Sequence, residues 1–223
     1  MDALIEIIYG AALGLLAGIA FQRISVFQVS KRSDDSAKVE AINNQVVIAL
    51  WMLTSAALFA LVFWKYSGTV DRIENIFIVS VAVNIAVVDF DIRKVPNSSL
   101  LILMLSKIGC MIAEIIINGD AKNVIFPPIL GLAVGLIIYS LPSMLKIPIG
   151  AGDVKYCGAI GFCLGIYGFL EASLVMAIVI AFYWIYLKIT GKGSLKTVSA
   201  MGPFLSVGVI VTALLPITEM INR

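Results

Sequence analysis

The chain contains no histidine and has few charged residues for its length. Catalysis by Ser-His-Asp or Cys-His groups and ligation of a metal by histidine are therefore excluded for this chain. Only 13% of its 223 residues are Asp, Glu, Lys or Arg, whereas soluble domains contain about 25%. The formal net charge of +2 is spread over loops, which does not indicate nucleic-acid binding.

Cysteine is also scarce, and none of it forms a Cys-x-x-Cys pair. Cys110, Cys157 and Cys163 all lie in apolar segments, where a thiol behaves as a small hydrophobic group. We expect them to pack in the interior rather than to bind a metal or form disulfides. The sequence therefore predicts neither a metal site nor a cofactor.

Hydrophobic residues make up 61% of the chain, against about 45 to 50% in soluble domains. This composition predicts an integral membrane protein. No polar segment is long enough to fold by itself, so residues 1–223 are expected to form a single membrane domain. The first apolar segment lacks a basic start and a small-residue cleavage site, which favours a retained helix over a removed signal peptide.

The hydrophobic runs predict an all-α, polytopic helix bundle with eight spans, because a bilayer core of about 30 Å takes about 20 helical residues. The sixth span is short and its turn into the seventh, near Gly168 and Glu171, is tight. Seven spans result if those two merge or one re-enters. The expected spans are residues 3–22, 46–64, 75–90, 98–118, 125–144, 154–168, 170–188 and 199–217.

Basic residues favour cytoplasmic loops, and their distribution predicts that the N-terminus lies outside. With this orientation the cytoplasmic side receives eleven basic residues and the outer side four, while Lys107 falls within a span. The longest polar stretch, residues 23–45, is then a solvated cytoplasmic loop. The eleven are Arg23, Lys31, Arg32, Lys38, Arg93, Lys94, Lys146, Lys155, Lys188, Lys192 and Lys196, and the four are Lys65, Arg72, Lys122 and Arg223.

Acidic residues stand at the cytoplasmic ends of two predicted spans. Asp89 ends the third span, and Asp153 begins the sixth within a Gly-x-Gly-Asp-x-Lys segment that contains Gly150, Gly152 and Lys155. Ionisable groups beside a span are costly, so each is a candidate functional residue. Glycines without side chains allow the close approach of another chain, as a protease requires of an extended peptide.

Two carboxylates at the same membrane depth can act as a general acid and a general base when they face one another. Both cannot ionise easily, so one keeps a proton while the other stays charged. The charged member can take a proton from water while the protonated member binds the scissile carbonyl. Helix capping or ion pairing remains an open alternative for Asp89 and Asp153. For Asp91, pairing with the neighbouring Arg93 or Lys94 is the favoured interpretation.

Other ionisable residues lie at membrane depth, namely Glu6, Lys107 and Glu114. Lys107 and Glu114 are two helical turns apart on one face, and we expect structural roles with a polar partner such as Asn84. A second hypothesis makes the chain a proton- or ion-coupled transporter whose relay joins Asp89, Asp153, Glu6 and Glu114. Such transporters often have internal repeats and midplane sites, whereas this sequence shows no repeat and its aspartates lie at the boundary.

Three motifs resemble the type 4 prepilin peptidase family of membrane-embedded Gly-x-Gly-Asp aspartyl proteases. Together they cover about residues 80 to 210 and occur in the family's order. The motifs are Asp89 followed by Pro96 and Asn97, Gly-x-Gly-Asp-x-Lys at residues 150–155 with the alanine- and glycine-bearing helix after it, and Gly-Pro-Phe-Leu at residues 202–205 with Gly208.

The resemblance implies that Asp89 and Asp153 are the catalytic pair of an endopeptidase in the cytoplasmic (inner) membrane. The implied substrates are type IV prepilin or pseudopilin precursors, cut at the cytoplasmic face between a basic leader ending in glycine and a hydrophobic helix. A preflagellin-type precursor remains an alternative substrate. Lys155 is then expected to be structural or lipid-facing, because a basic residue would repel the leader.

The N-terminal part differs from the larger bacterial members that it resembles. Residues 14–23 are similar to their first helix, but those members continue with a cytoplasmic segment that carries paired Cys-x-x-Cys motifs. Here the loop of residues 23–45 is short and contains no cysteine, so no zinc site is expected. N-methylation of the mature pilin and the oligomeric state are open at this point.

Overall fold

A computed structural model describes residues 2–146, 149–191 and 200–216. Within these ranges all the regular secondary structure is helical, with eight α-helices and no strand. The helices are α1 (Asp2–Ser30), α2 (Ser36–Ile42), α3 (Gln45–Lys65), α4 (Thr69–Ile92), α5 (Asn97–Asn118), α6 (Ala121–Met144), α7 (Ala151–Ile189) and α8 (Gly202–Leu214).

Six of these helices, α1 and α3 to α7, are long and apolar enough to cross a membrane. Helix α8 is apolar but shorter, with 13 residues, and α2 has only seven. The predicted polytopic helix bundle is confirmed. Cys110, Cys157 and Cys163 are buried, as the sequence predicts, and none of them is bridged in the described residues.

The 39-residue helix α7 is two antiparallel arms rather than one rod. Gly165 interrupts it with φ 67° and ψ −176°, a backbone conformation that suits glycine. Before the break, Gly161 lies against Gly131 of α6. After it, Met176 returns to α6 and its Sδ lies 3.8 Å from the Tyr139 hydroxyl. The arms, residues 151–164 and 166–189, correspond to the predicted sixth and seventh spans, with their turn slightly earlier than expected.

Helix α8 packs against the second arm of α7 and against α4. A Cβ on Gly208 would lie 2.2 Å from the carbonyl oxygen of Ala172, so the two backbones are in direct contact. Leu205 and Phe169 in this region are completely buried. The main buried cluster is formed by residues of α4, α7 and α8 together with residues of α3 and α5.

The polar stretch of residues 23–45 contains more helix than predicted. Helix α1 continues to Ser30, and α2 follows after a short connection that Asp35 caps by accepting a 3.0 Å hydrogen bond from the Ala37 N–H. Ile42 at the end of α2 is buried against Val29 and Val88. This apolar contact anchors the segment to the bundle, so only residues 31–35 and 43–44 are non-helical. The single-domain organisation of residues 1–223 stays a prediction.

Helix α6 also begins earlier than predicted. Asp120 caps it by accepting a 3.2 Å hydrogen bond from the Asn123 N–H. Pro127 and Pro128 consequently lie inside the helix rather than at its start. Proline lacks the N–H that would bond to the preceding turn, but the Asp120 cap starts the helix ahead of both prolines.

A buried ion pair links α4 to α5. The Lys107 Nζ lies 2.6 Å from the Glu74 Oε1, and the side chains are only 11% and 13% exposed. Lys107 therefore finds its partner in Glu74 and not in Asn84, which instead donates to Ser25 and accepts from Ser99. Glu74 was not predicted as a partner because the third span was expected to begin at residue 75, whereas α4 begins at Thr69.

Removing one member of this pair is expected to destabilise the protein strongly. The variant Lys107→Met leaves the Glu74 carboxylate buried without its cation, which costs about 3 to 5 kcal/mol. The double variant Glu74→Met/Lys107→Met removes both charges and is expected to recover most of that loss. Thermal unfolding in detergent measures both. Glu6→Gln, which breaks the more exposed Glu6–Arg72 pair, serves as the control at no more than about 1 kcal/mol.

Candidate active site

Asp89 lies one turn before the end of α4 and is 4% exposed. The helix ends because Arg93 adopts the left-handed conformation, with φ 51°, and donates its N–H to the Asp89 carbonyl. The Asp89 Oδ2 accepts a 2.9 Å hydrogen bond from the N–H of Gly202, the first residue of α8. A carboxylate at a helix N-terminus is stabilised by the unpaired amides there.

Asp153 lies in the first turn of α7 and is partly exposed. Its N–H donates to the carbonyl of Gly150, which caps the helix. A Cβ on Gly150 would lie 2.9 Å from the Asp153 Oδ2, so the carboxylate occupies the space that the glycine leaves. Among the described residues no side chain or amide donates a hydrogen bond to this carboxylate.

The structure brings Asp89 and Asp153 together at one end of the bundle, which we call the aspartate end. Their carboxylates are close enough for their negative charges to repel one another. Gly152 supports this arrangement, because a Cβ there would lie 3.2 Å from the Val95 Cβ in the connection after α4. The close contact joins the start of α7 to the chain that leaves Asp89.

The remaining motif residues lie at the starts of α5 and α7. Pro96 is buried and is the N-cap residue of α5. Asn97, the first residue of α5, is exposed. Gly150 and Lys155 are exposed as well. Their roles as motif support stay predictions.

Asp91 has a different cationic neighbour from the one that the sequence suggested. The Lys38 Nζ of α2 donates a 3.1 Å hydrogen bond to the Asp91 carbonyl oxygen. Lys38 is also the cation whose charge acts most strongly on the Asp91 carboxylate, rather than the adjacent Arg93 or Lys94. This contact was not predictable because α2 was expected to be a solvated loop.

Two further residues of the aspartate end were missed by the sequence analysis. Tyr156 lies one turn after Asp153, and its hydroxyl is 2.8 Å from the Ser206 Oγ of α8. Tyr156 is 1% exposed and Ser206 is fully buried. The helical spacing of Tyr156 from Asp153 was a usable signal, but the partner on α8 was not.

The carboxylates of the transporter hypothesis are divided between the two ends of the bundle. Glu6 pairs with Arg72 at the opposite end, where α4 begins. Glu114 lies beside Lys107 in the half of α5 that is remote from the aspartate end. Because Glu6 and Glu114 lie away from the aspartate end, the structure does not support a relay that joins them to Asp89 and Asp153. Across the described ranges no three Cys, Asp or Glu side chains are grouped so as to hold a metal ion.

The fold and the site together define a polytopic helical membrane protein with an interacting carboxylate pair at one end. The model of the type IV leader peptidase family matches residues 76–185, a segment that contains both aspartates. This match confirms the resemblance seen in the motifs and supports a peptidase of the leader-peptidase type. Comparisons with curated proteins and with solved structures gave no match.

Proposed function

We propose that the protein is an intramembrane aspartyl endopeptidase in which Asp89 and Asp153 are the catalytic pair. Its substrates are type IV prepilin or pseudopilin precursors, from which it removes the basic leader at the cytoplasmic face of the inner membrane. The observation that carries the proposal is the approach of the two carboxylates, from different helices, within a segment that matches a leader peptidase family.

The pair supports hydrolysis because two close carboxylates retain one proton between them. The ionised carboxylate accepts a proton from water as the water oxygen bonds to the scissile carbonyl carbon. The protonated carboxyl donates its hydrogen bond to the carbonyl oxygen, which carries the developing negative charge. The tetrahedral intermediate then collapses: the carbon–nitrogen bond breaks, and the leaving nitrogen receives a proton.

The products are a leader with a new carboxylate and a mature chain with a new amine. The pair returns to a state with one shared proton. Because the proton belongs to the pair, neither Asp89 nor Asp153 is assigned as the permanent acid or base. The histidine-free sequence is consistent with this chemistry, which needs no imidazole.

The charge distribution supports a cytoplasmic location for the aspartate end. Eight of the eleven basic residues assigned to the cytoplasm lie in the described part of the chain after α1, α4 and α6 or near the two ends of α7, and those helix ends share this side of the bundle. Lys192 and Lys196 of the cytoplasmic group, and Arg223 of the outer group, lie outside the described residues. Basic residues favour the cytoplasmic side, where the precursor's leader begins.

A sided cleavage assay tests the membrane face. A precursor with a fluorescent group on its leader is inserted with the enzyme into membrane vesicles. Inverted vesicles, whose cytoplasmic face is outward, are expected to release the labelled leader into the medium, and right-side-out vesicles to retain it. Vesicles with Asp153→Asn are the control and should release none. Release from right-side-out vesicles alone would contradict the proposed face.

A further inference from the structure

We infer that α8 holds the two aspartate-bearing helices in register, through Gly202 and the hydrogen bond between Ser206 and Tyr156. These three are positioning residues for the proposed reaction, and the inference rests on the proposed function. None of them belongs to the catalytic pair. Gly202 and Ser206 lie beyond the segment that matches the peptidase family.

The first contact fixes Asp89 on α4. The Gly202 N–H donates a 2.9 Å hydrogen bond to the Asp89 Oδ2, and both residues are buried. A Cβ on Gly202 would lie 2.6 Å from that oxygen and 2.9 Å from the Asp89 Cβ and Cγ. Only glycine therefore lets the first turn of α8 approach the carboxyl group this closely.

The second contact fixes the start of α7. Tyr156 is one helical turn beyond Asp153, so the two side chains lie on the same side of the first arm. The hydroxyl groups of Tyr156 and Ser206 are 2.8 Å apart in an interior with almost no solvent exposure. A buried hydroxyl that loses its partner pays a desolvation cost, so this bond resists displacement of α7 relative to α8.

Both contacts come from one face of α8. Gly202 and Ser206 are four residues apart, which places them one above the other on the helix. Gly208, two residues after Ser206 and therefore on the other side of the helix, brings the α8 backbone against Ala172 of the second arm. Helix α8 therefore cannot slide along α7 without breaking a hydrogen bond or a backbone contact, and it transmits that constraint to Asp89.

The functional consequence is control of the separation between the two carboxylates. Sharing of a proton depends on that separation, and a misplacement of 1 Å can cost about 100-fold in rate. Displacing α8 should therefore lower the rate of the chemical step and leave precursor binding largely unchanged.

The test is a double-variant cycle in purified enzyme with a prepilin precursor, reading kcat and KM separately. Tyr156→Phe and Ser206→Ala are each expected to lower kcat by about fivefold, in keeping with the loss of one buried hydrogen bond. The double variant should lose no more than either single variant, because both remove the same bond. KM should stay within about twofold of the original value, as expected when only a step after binding is affected.

Thr212→Val is the matched control, because it removes another buried hydroxyl from α8. Within the described part of the chain the Thr212 Oγ1 has no hydrogen-bond partner, so kcat should be unchanged. Gly202→Ala should lower kcat by about 100-fold through displacement of Asp89.

Unchanged kcat in Tyr156→Phe and Ser206→Ala, additive losses, or an equal loss in Thr212→Val would overturn the inference. These outcomes concern α8 alone, provided that the Asp89→Asn enzyme is inactive. An active Asp89→Asn enzyme would instead reject the proposed function. Size-exclusion profiles identify any variant that misfolds, and the conservative Tyr156→Phe change keeps the ring that fills the interior.

Discussion

Replacing either member of the carboxylate pair is expected to abolish leader removal. Asp89→Asn and Asp153→Asn keep the size of the side chain but cannot supply the ionised base or share a proton with the other carboxyl. Each should lower kcat for precursor cleavage by about 10²- to 10⁴-fold, the usual contribution of general acid–base catalysis. The double variant should be about as inactive as either single one, because the pair acts as a unit.

Asp91→Asn is the matched control for these variants. Asp91 lies on the same helix, two residues after Asp89, and its electrostatic partner is Lys38 rather than Asp153. Its rate should stay within about threefold of the original enzyme, because a substitution outside the machinery has a small effect. Cleavage is measured in membranes that contain equal amounts of each variant. An inactive Asp91→Asn enzyme with active Asp89 and Asp153 variants would place the catalytic group elsewhere.

The second large effect is expected where α6 meets the first arm of α7. A Cβ on Gly161 would lie 2.0 Å from the Gly131 carbonyl oxygen, and a Cβ on Gly131 would lie equally close to the Gly161 carbonyl. Gly161→Val must separate the two backbones. We expect a loss of about 3 kcal/mol or more in unfolding free energy, at the upper end for overpacked interiors.

Thermal unfolding in detergent measures this loss, and Gly109→Ala on α5 provides its control. A Cβ at Gly109 meets no atom within 4 Å, so that variant should retain its stability within about 0.5 kcal/mol. Because the first arm carries Asp153 at its start, Gly161→Val should also lower cleavage activity. Full stability in Gly161→Val would show that α6 and α7 are not packed as described.

The spans were largely predictable because the length of an apolar run reports directly on the thickness of a bilayer. Even the division of α7 into two arms followed from a short sixth span. The position of the turn did not, because Gly165 and Gly168 are both plausible breaks in the sequence. The choice of Gly165 depends on its packing beside Pro127 of α6, whose Cβ lies 3.7 Å from the position of a Gly165 Cβ.

Side-chain contacts between helices could not be predicted from the sequence. Lys107 had an identifiable need for a polar partner, but the identity of Glu74 depended on where α4 begins. Asp91 had two adjacent cations, yet the folding of α2 presents Lys38 to it instead. Such pairings depend on the rotation and tilt of each helix, and spacing along the chain does not determine either.

For the candidate site, too, the residues were predictable from the sequence but their contacts were not. Asp89 and Asp153 were selected because carboxylates at a membrane boundary are energetically costly and are therefore candidate functional residues. Their approach depended on the folded bundle, and capping was equally compatible with their positions. The structure contains both features for Asp89, which accepts the Gly202 N–H at the start of α8 and also lies within electrostatic reach of Asp153.

The most direct measurement is the mass of the products that the purified protein releases from candidate precursors in lipid. Prepilin, pseudopilin and preflagellin precursors are compared, and the same spectra show whether the new N-terminus is methylated. The account predicts a basic leader that ends in glycine and a mature chain that begins at the next residue, with neither product formed by Asp89→Asn or Asp153→Asn enzyme. Intact precursors with the original enzyme, or cleavage that persists in both aspartate variants, would contradict it.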